Sequence, residues 1–229
     1  MKYKCLFFDL DRTLWDYKTN SEQTLIDLVN TFTPQLSSQT SLFIETFYKV
    51  NEDLWLQYRD GIITKEYLSS SRFIQVYKHL GIDVVSMAEE MAQYYIVQSP
   101  QKNKLFPNTI EVLSYLKSRN YKLYLLTNGF LEVQKVKIKT SNIEPYFDGM
   151  ITSEEAGYQK PDSRIFEYAL RNTGGQKTNC IMIGDDLDND ILGAQNFGMD
   201  TIFFNPLKIT HTSNPTYEIN NLIELIKLF

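Results

Sequence analysis

Short apolar runs separated by helical patterns recur along the chain. Five of these runs are rich in Val, Ile, Leu, Phe and Tyr and lack the polar alternation of a sheet face open to water: Cys5 to Leu10, Leu123 to Thr127, Gly149 to Thr152, Cys180 to Gly184 and Thr201 to Phe204. Such runs are typical of parallel strands that are buried on both faces. The segments between the last four runs have helical spacing, and the stretch from Tyr217 to Phe229 is predicted to be a closing helix. We therefore predict an α/β fold built on a doubly wound parallel five-stranded sheet, a Rossmann-like arrangement.

The long stretch between the first two predicted strands needs structure of its own. It contains no convincing buried strand and far exceeds the length of an ordinary connection. Apolar residues recur there at helical spacing in four segments: Leu25 to Phe32, Phe43 to Tyr58, Tyr67 to Leu80 and Met87 to Ile96. The simplest arrangement is a helical cap domain over residues 15-99, inserted into an α/β core that is formed by residues 1-14 and 100-229.

Composition and charge narrow the classes of protein that fit this pattern. The 229 residues are 43% hydrophobic and 22% charged, as in ordinary globular proteins. Lys and Arg number 23 against 28 for Asp and Glu, and the net charge of −5 has the wrong sign for a general binder of nucleic acid polymers. The apolar run before Asp9 is too short for a secretory signal or a membrane span. We expect a cytoplasmic protein without membrane contact.

Polar and charged residues follow four of the predicted strands. Asp9 and Asp11 end the first run, and the strand period of two directs both side chains to one side. Thr127 to Gly129 ends the second run, Lys160 to Asp162 follows the third, and Gly184 to Asp190 ends the fourth. Each segment alone has a plain structural explanation as a turn, a helix start or a helix cap. Open α/β sheets, however, bind their ligands at the carboxyl ends of the strands, so one site can hold all four segments.

Together these residue types suit phosphoryl transfer. Asp9 would be a nucleophile, Asp11 a general acid and base, Thr127 a hydroxyl donor and Lys160 a cation. A carboxylate that attacks a phosphate meets a repulsion of roughly 4 kcal/mol per charge pair at 4 Å and an effective dielectric constant of 20. Four carboxylates within six residues from Asp185 also repel one another and favour a bound cation. Mg²⁺ fits, with the Asp9 and Asp185 carboxylates and the Asp11 carbonyl as its ligands.

Four segments resemble, in their order and spacing, the four motifs of the haloacid dehalogenase superfamily: Phe8 to Leu14, Thr127 to Gly129, Lys160 to Asp162 and Gly184 to Asp190. The resemblance covers nearly the whole core, and the helical insert looks like the C1 cap of that superfamily. It implies that Asp9 forms an aspartyl-phosphate and that Asp11 protonates the leaving oxygen and then activates water. It also implies that Thr127, Asn128 and Lys160 hold the phosphoryl group.

The same resemblance implies a magnesium site. Asp9, the carbonyl of Asp11 and Asp185 would be the ligands, and Asp190 would support a metal-bound water. Members that cleave carbon–halogen bonds lack the second Asp of the first motif. Asp11 therefore argues for a phosphatase that acts on a small-molecule phosphate monoester.

Finer features resemble the pyrimidine 5′-nucleotidase branch of this superfamily. They are Thr127 to Phe130 followed by Gln134 and Lys137, then Tyr146 to Asp148 and Ser153 to Gly157. Phosphatases of N-acylneuraminate 9-phosphate are similar in the same segments. The resemblance thus implies a Mg²⁺-dependent pyrimidine nucleoside 5′-monophosphatase, and a sugar or sugar-acid phosphatase is the alternative.

Two residues are candidates for contact with the leaving group. Trp15 lies where the branch commonly has an aromatic residue, and its ring could stack on a base or simply pack beside a hinge. Gly61 lies in a turn that could enter the site or merely join two helices.

A non-catalytic protein is the remote alternative. A signalling receiver domain also surrounds a phosphorylated Asp with acidic residues, Thr and Lys, but its chain would be about half as long. It would also lack the insert and the acid at Asp11. An inactive binder is disfavoured because every motif residue is present. The sequence leaves the oligomeric state open.

Overall fold

Six parallel strands form a single sheet in this computed structural model, which describes residues 2–83 and 86–229. The strands are β1 (Cys5–Phe8), β2 (Lys122–Thr127), β3 (Gly149–Thr152), β4 (Cys180–Gly184), β5 (Asp200–Phe204) and β6 (Tyr217–Ile219). Their order in the sheet is β3-β2-β1-β4-β5-β6. The predicted α/β class with a doubly wound parallel sheet is confirmed.

The predicted number of strands is wrong, because β6 adds a sixth strand where a helix was predicted. Its backbone pairs with β5 in parallel, with Phe204 opposite Ile219. Helical structure begins only after it, as a 3₁₀ turn at Leu222–Glu224 and a short helix at Leu225–Leu228. A strand of three residues, Tyr217–Ile219, is too short to display a period of two. The apolar spacing of this segment therefore resembled a helix.

Alternate side chains of the sheet supply two separate apolar cores. Leu6 and Phe8 of β1 pack in one core with Leu113 and Leu116. Phe7, which points the opposite way, packs in the other core with Phe166. Helices thus cover both faces of the sheet, which explains why the strands are apolar throughout. The side chains at the carboxyl ends of these strands are held by two packed layers.

The α-helices among the described residues are, in chain order, α1 (Tyr17–Phe32), α2 (Thr40–Arg59), α3 (Lys65–His79), α4 (Ala88–Gln98), α5 (Thr109–Ser118), α6 (Leu131–Thr140), α7 (Ser153–Ala156), α8 (Ser163–Thr173), α9 (Gly193–Phe197) and α10 (Leu225–Leu228). A π-helix at Leu187–Leu192 precedes α9. None of the helices in residues 2–83 and 86–229 has the length and apolarity that a bilayer crossing requires.

The chain divides into two compact units. One contains the sheet and comprises the chain up to Tyr17 together with Asn103–Phe229, and the other is Lys18–Lys102. The first unit keeps Trp15 because its backbone forms bridges with both Asp11 and Leu105. The divisions therefore lie a few residues beyond the domain boundaries stated above.

Aromatic side chains form the interior of the helical unit. Phe47 of α2 packs against Tyr95 of α4 with ring centroids 5.1 Å apart, and Phe43 lies 5.2 Å from Tyr77. The guanidinium of buried Arg72 lies 5.3 Å from the centre of the Tyr95 ring. These contacts join α2, α3 and α4, whose apolar spacing predicted the helices.

We expect Ile219→Ala to destabilise the protein by about 2–5 kcal/mol, because Ile219 is 3% exposed in β6 and its truncation leaves a cavity. Tyr217→Ala, in the same strand but at a residue 38% exposed, should cost much less. Urea unfolding of the two variants and the unchanged chain measures both effects. Equal losses would contradict a sixth strand that buries Ile219.

Candidate active site

The candidate site lies where the strand order reverses. β1 has β2 on one side and β4 on the other, and open α/β sheets bind ligands in the crevice at such a switch point. Asp9 directly follows β1, and its N–H donates to the carbonyl of Ile183 at 2.9 Å. Asp185 directly follows β4. Pairing of β1 with β4 therefore brings the two carboxylates together.

A buried lysine contacts three chain segments at this edge of the sheet. The Nζ of Lys160 donates to Asp9 Oδ1 at 2.7 Å, to Asp190 Oδ1 at 2.6 Å and to the Leu126 carbonyl at 2.8 Å. Lys160 is only 2% exposed, so its ammonium has left water almost completely. Burial alone would lower the pKa of Lys160, but the carboxylates of Asp190 and Asp9 raise it above the ordinary value. Lys160 therefore stays charged.

The side chain of Asn128 fixes the backbone that carries this lysine. Its Nδ2 donates to the carbonyl of Lys160 at 2.9 Å, and its Oδ1 accepts from the N–H of Lys160 at 2.8 Å. This double contact locates Lys160 against the end of β2. A direct contact between Asn128 and a phosphate group stays a prediction.

Three carboxylates form a cluster around that lysine. Asp9, Asp185 and Asp190 each offer an oxygen, and these oxygens lie within 4.8 Å of one another. Burial raises the pKa of Asp9 and raises that of Asp190 to about 7, although Lys160 opposes both shifts. Burial and the neighbouring Asp9 and Asp190 raise the pKa of Asp185. The Lys160 ammonium and the Arg12 guanidinium, which lowers the pKa of Asp185, do not balance three carboxylates, and an all-oxygen set of this kind fits Mg²⁺.

The loop after β4 places the carboxylate of Asp190 close to Gly184. A Cβ on Gly184 would lie 2.1 Å from Asp190 Oδ2, so glycine permits the close approach of this carboxylate. Asp186 caps the π-helix by accepting from the N–H groups of Asp188 and Asn189 at 3.0 and 2.9 Å. The cap of this helix is thus Asp186. Asp188 itself is exposed.

Side chains of α6 connect two further predicted residues. The Nε2 of Gln134 donates to Thr127 Oγ1 and to Asp11 Oδ2, both at 2.8 Å. The Nζ of Lys137 donates to both carboxylate oxygens of Asp11, at 2.6 and 2.8 Å. Thr127 also accepts from the N–H of Gly129 at 3.1 Å. Thr127 and Asp11 are therefore held by the same helix.

Three residues that contact the predicted site residues had no role assigned by the sequence pattern: Thr13, Gln134 and Lys137. Gln134 and Lys137 entered only as points of resemblance, and their spacing of three on one helix face was the available signal. Thr13 is fully buried, and its hydroxyl donates to Asp185 Oδ1 at 3.0 Å. No local pattern distinguishes this threonine from one that merely packs.

The two leaving-group candidates occupy different units. Trp15 is fully buried in the sheet-containing unit, and the Lys137 ammonium lies 4.5 Å from the centre of its ring. Gly61 lies in the helical unit, between α2 and α3, with a φ of 71° that suits glycine. Contact of either residue with a substrate stays a prediction.

Comparison with known proteins gives concordant findings. The sequence model of the haloacid dehalogenase-like hydrolases matches residues 3–198. The pyrimidine 5′-nucleotidase PynA of Streptococcus pneumoniae is 31% identical over 99% of this chain and 94% of its own. The pyrimidine 5′-nucleotidase YjjG of Escherichia coli is 30% identical over 100% and 98%. The crystal structure of the HAD-hydrolase YfnB of Bacillus subtilis bound to magnesium is similar, with a TM-score of 0.83, 27% identity and coverage of 100% of this chain and 99% of that one.

We expect Mg²⁺ to raise the melting temperature near pH 8 and to have little effect near pH 5. Unfolded Asp has a pKa of about 4, so between that pH and about 7 the folded chain binds more protons than the unfolded chain. Stability contributed by Asp190 therefore falls as pH rises through this window. Mg²⁺ binds the deprotonated cluster and should add about 2.7 kcal/mol at a hundred times its dissociation constant. Differential scanning fluorimetry measures the shift.

Two matched variants test whether the magnesium-dependent shift in melting temperature depends on the carboxylate cluster. Asp185→Asn should remove most of the magnesium-dependent shift, whereas Asp188→Asn, which changes an exposed carboxylate in the same loop, should retain it. A full shift in Asp185→Asn, or an equal shift at both pH values, would contradict a metal site in this cluster.

Proposed function

This chain belongs to the haloacid dehalogenase-like hydrolase family and is a phosphatase, and we propose that it hydrolyses pyrimidine nucleoside 5′-monophosphates through an aspartyl-phosphate. The observation that carries the mechanism is the pairing of Asp9, held by Lys160 at 2.7 Å, with a second carboxylate at Asp11. The observation that carries the substrate is similarity along the whole chain to two proteins named pyrimidine 5′-nucleotidase.

In the first step, a carboxylate oxygen of Asp9 attacks the phosphorus atom. A bond forms between that oxygen and phosphorus while the bond to the ester oxygen breaks and leaves its electron pair on the ester oxygen. Asp11 donates a proton to this departing oxygen, which leaves as the nucleoside hydroxyl. The contact with Lys160 holds the nucleophile in one orientation.

In the second step, water hydrolyses the aspartyl-phosphate. Asp11, now deprotonated, accepts a proton from the water as its oxygen attacks phosphorus. The bond between phosphorus and the Asp9 oxygen breaks, which releases inorganic phosphate and restores both carboxyl groups. One residue therefore acts as acid and then as base, as microscopic reversibility allows.

Repulsion between the carboxylates of the site and the phosphate group is the main barrier to the reaction. Each pair of unit charges at 4 Å repels by roughly 4 kcal/mol at an effective dielectric constant of 20. Lys160 supplies one positive charge beside Asp9. The carboxylates of Asp9 and Asp185 and the carbonyl of Asp11 would hold Mg²⁺, with Asp190 supporting its water. When bound, Mg²⁺ supplies the remaining positive charge that offsets the phosphate oxygens.

Thr127 is suited to hold the phosphoryl group. Its hydroxyl oxygen accepts hydrogen bonds from the N–H of Gly129 and from Gln134, so its own proton is directed away from both donors. That proton can be donated to a phosphate oxygen. Asn128 and Lys160 complete the proposed phosphate-binding group.

We assign selection of the leaving group to Trp15, near the start of the helical insert, and to the helical unit. Trp15 and the turn at Gly61 are the proposed contacts with the nucleoside. A pocket that selects by shape discriminates between substrates that differ by a methyl group by only about 1–3 kcal/mol. Modified pyrimidines should therefore be hydrolysed together with the ordinary ones.

We expect Asp9→Asn to lower kcat by at least about a thousandfold, since an amide is not a nucleophile of this kind. Phosphate release with Mg²⁺ present measures the loss, and melting temperature checks the fold. Asp188→Asn is the matched control because it also neutralises a carboxylate near the site without contacting Lys160. Turnover close to that of the unchanged chain by folded Asp9→Asn would refute covalent catalysis.

A substrate panel tests the proposed specificity. Uridine, cytidine and thymidine 5′-monophosphates should exceed adenosine and guanosine 5′-monophosphates by about tenfold or more in kcat/KM, which corresponds to the lower end of discrimination by pocket shape. Hexose phosphates and a sugar-acid phosphate are included under the same conditions. If either sugar class were hydrolysed about tenfold better than every pyrimidine nucleotide, the phosphatase would be retained and the nucleotidase rejected.

A further inference from the structure

The helix α6 carries two buried polar side chains that end on Asp11. Gln134 is fully buried and Lys137 is 6% exposed, and their spacing of three places them on one face of the helix. Lys137 contacts both oxygens of the Asp11 carboxylate, and Gln134 contacts one of them. Asp11 therefore receives three hydrogen bonds from α6.

We propose that Lys137, assisted by Gln134, is a positioning residue that aims the Asp11 carboxyl group at the leaving oxygen. The inference rests on the proposed function because it takes Asp11 as the acid and base. It extends that function by assigning the orientation of Asp11 to α6, a helix that contributes no residue to the carboxylate cluster.

The position of Lys137 is defined on two sides. Its Nζ lies 2.6 Å from Asp11 Oδ1 on one side and 4.5 Å from the centre of the Trp15 ring on the other. A cation over a tryptophan face is attracted to the ring, and a buried ammonium requires partners of this kind. The backbone bridge between Asp11 and Trp15 joins the two partners. The ammonium is thus confined, and so is the carboxylate that it binds.

Gln134 couples this carboxylate to the proposed phosphate-binding hydroxyl. One Nε2 group donates to both Asp11 and Thr127, at 2.8 Å each. A Cβ on Gly129 would lie only 2.1 Å from this nitrogen, so glycine leaves the room that Gln134 occupies. Gln134 therefore positions both Asp11, the proposed acid, and Thr127, the proposed phosphate-binding residue.

The effect of such positioning depends on the leaving group. While the ester bond breaks, a proton moves from an Asp11 oxygen to the departing oxygen, and that oxygen keeps the electron pair of the bond. An alkyl oxygen such as the ribose 5′-oxygen would otherwise leave as a strongly basic alkoxide. The p-nitrophenolate ion is stable without a proton. A displaced Asp11 should therefore slow the cleavage of alkyl phosphates much more than that of p-nitrophenyl phosphate.

The test compares kcat/KM for two substrates in Lys137→Met. The substrates are p-nitrophenyl phosphate and the best alkyl phosphate of the panel, whatever its base or sugar. We expect a loss of about a hundredfold for the alkyl phosphate and of less than about fivefold for p-nitrophenyl phosphate. kcat/KM covers the steps up to release of the leaving group, so hydrolysis of the phosphoenzyme does not enter the comparison.

Three variants control for loss of structure. Lys137→Arg keeps the cation and should recover at least about a tenth of the alkyl phosphatase activity. Lys139→Met changes an exposed lysine of the same helix and should change neither substrate. Gln134→Met should reproduce the selective loss in a smaller measure, which keeps the inference testable if Lys137→Met does not fold.

Asp11→Asn separates this inference from the proposed function. If Asp11→Asn loses alkyl phosphate cleavage selectively and Lys137→Met and Gln134→Met lower both substrates equally or not at all, positioning by α6 is refuted and the mechanism stands. If Asp11→Asn itself shows no selectivity for the alkyl phosphate, the acid role of Asp11 is refuted and this inference with it.

Discussion

The contact of the Lys160 ammonium with Asp9 and Asp190 is the interaction on which the rest of the site depends. Removal of one member of a buried ion pair typically costs about 3–5 kcal/mol because it leaves the other charge without compensation. Here the ammonium also donates to the Leu126 carbonyl, so each of its three N–H groups is used. Its partners are Asp9, which follows β1, Leu126 within β2 and Asp190, which lies after β4. A single buried cation thus aligns three chain segments at the carboxyl edge of the sheet.

The excess of negative charge in this carboxylate cluster affects both the stability of the fold and the binding of a cation. Three carboxylates outnumber the Lys160 and Arg12 cations that act on them, and burial, followed by the neighbouring carboxylates, raises the pKa values of Asp9, Asp185 and Asp190. A divalent cation would relieve this excess of negative charge and would at the same time attract a phosphate group. Gly184 allows the crowding, since any side chain there would displace the Asp190 carboxylate. The same buried negative charge therefore favours the binding of a cation.

The sequence pattern predicted that the candidate residues lie together because parallel strands share one direction. Apolar runs marked five of the six strands, and polar residues at their ends had to meet at one edge of the sheet. This reasoning brought together Asp9, Lys160 and Asp185. It missed β6, whose three residues are too few to show the period of a strand. It also missed the contact of Asn128 with the Lys160 backbone, because the side chain of an Asn in a turn has many possible partners.

The sequence by itself determined the fold class, the order of the site residues and the family, since these follow from local periodicity and from short motifs at strand ends. Only the tertiary structure decided which partner each charge has. Asp11 is bound by Lys137 rather than by Lys160, and Asp185 is bound by Thr13. Such pairings depend on the rotation of α6 about its axis and on the packing of loops that are remote in sequence. Local pattern does not encode these quantities, because they result from the packing of the whole core.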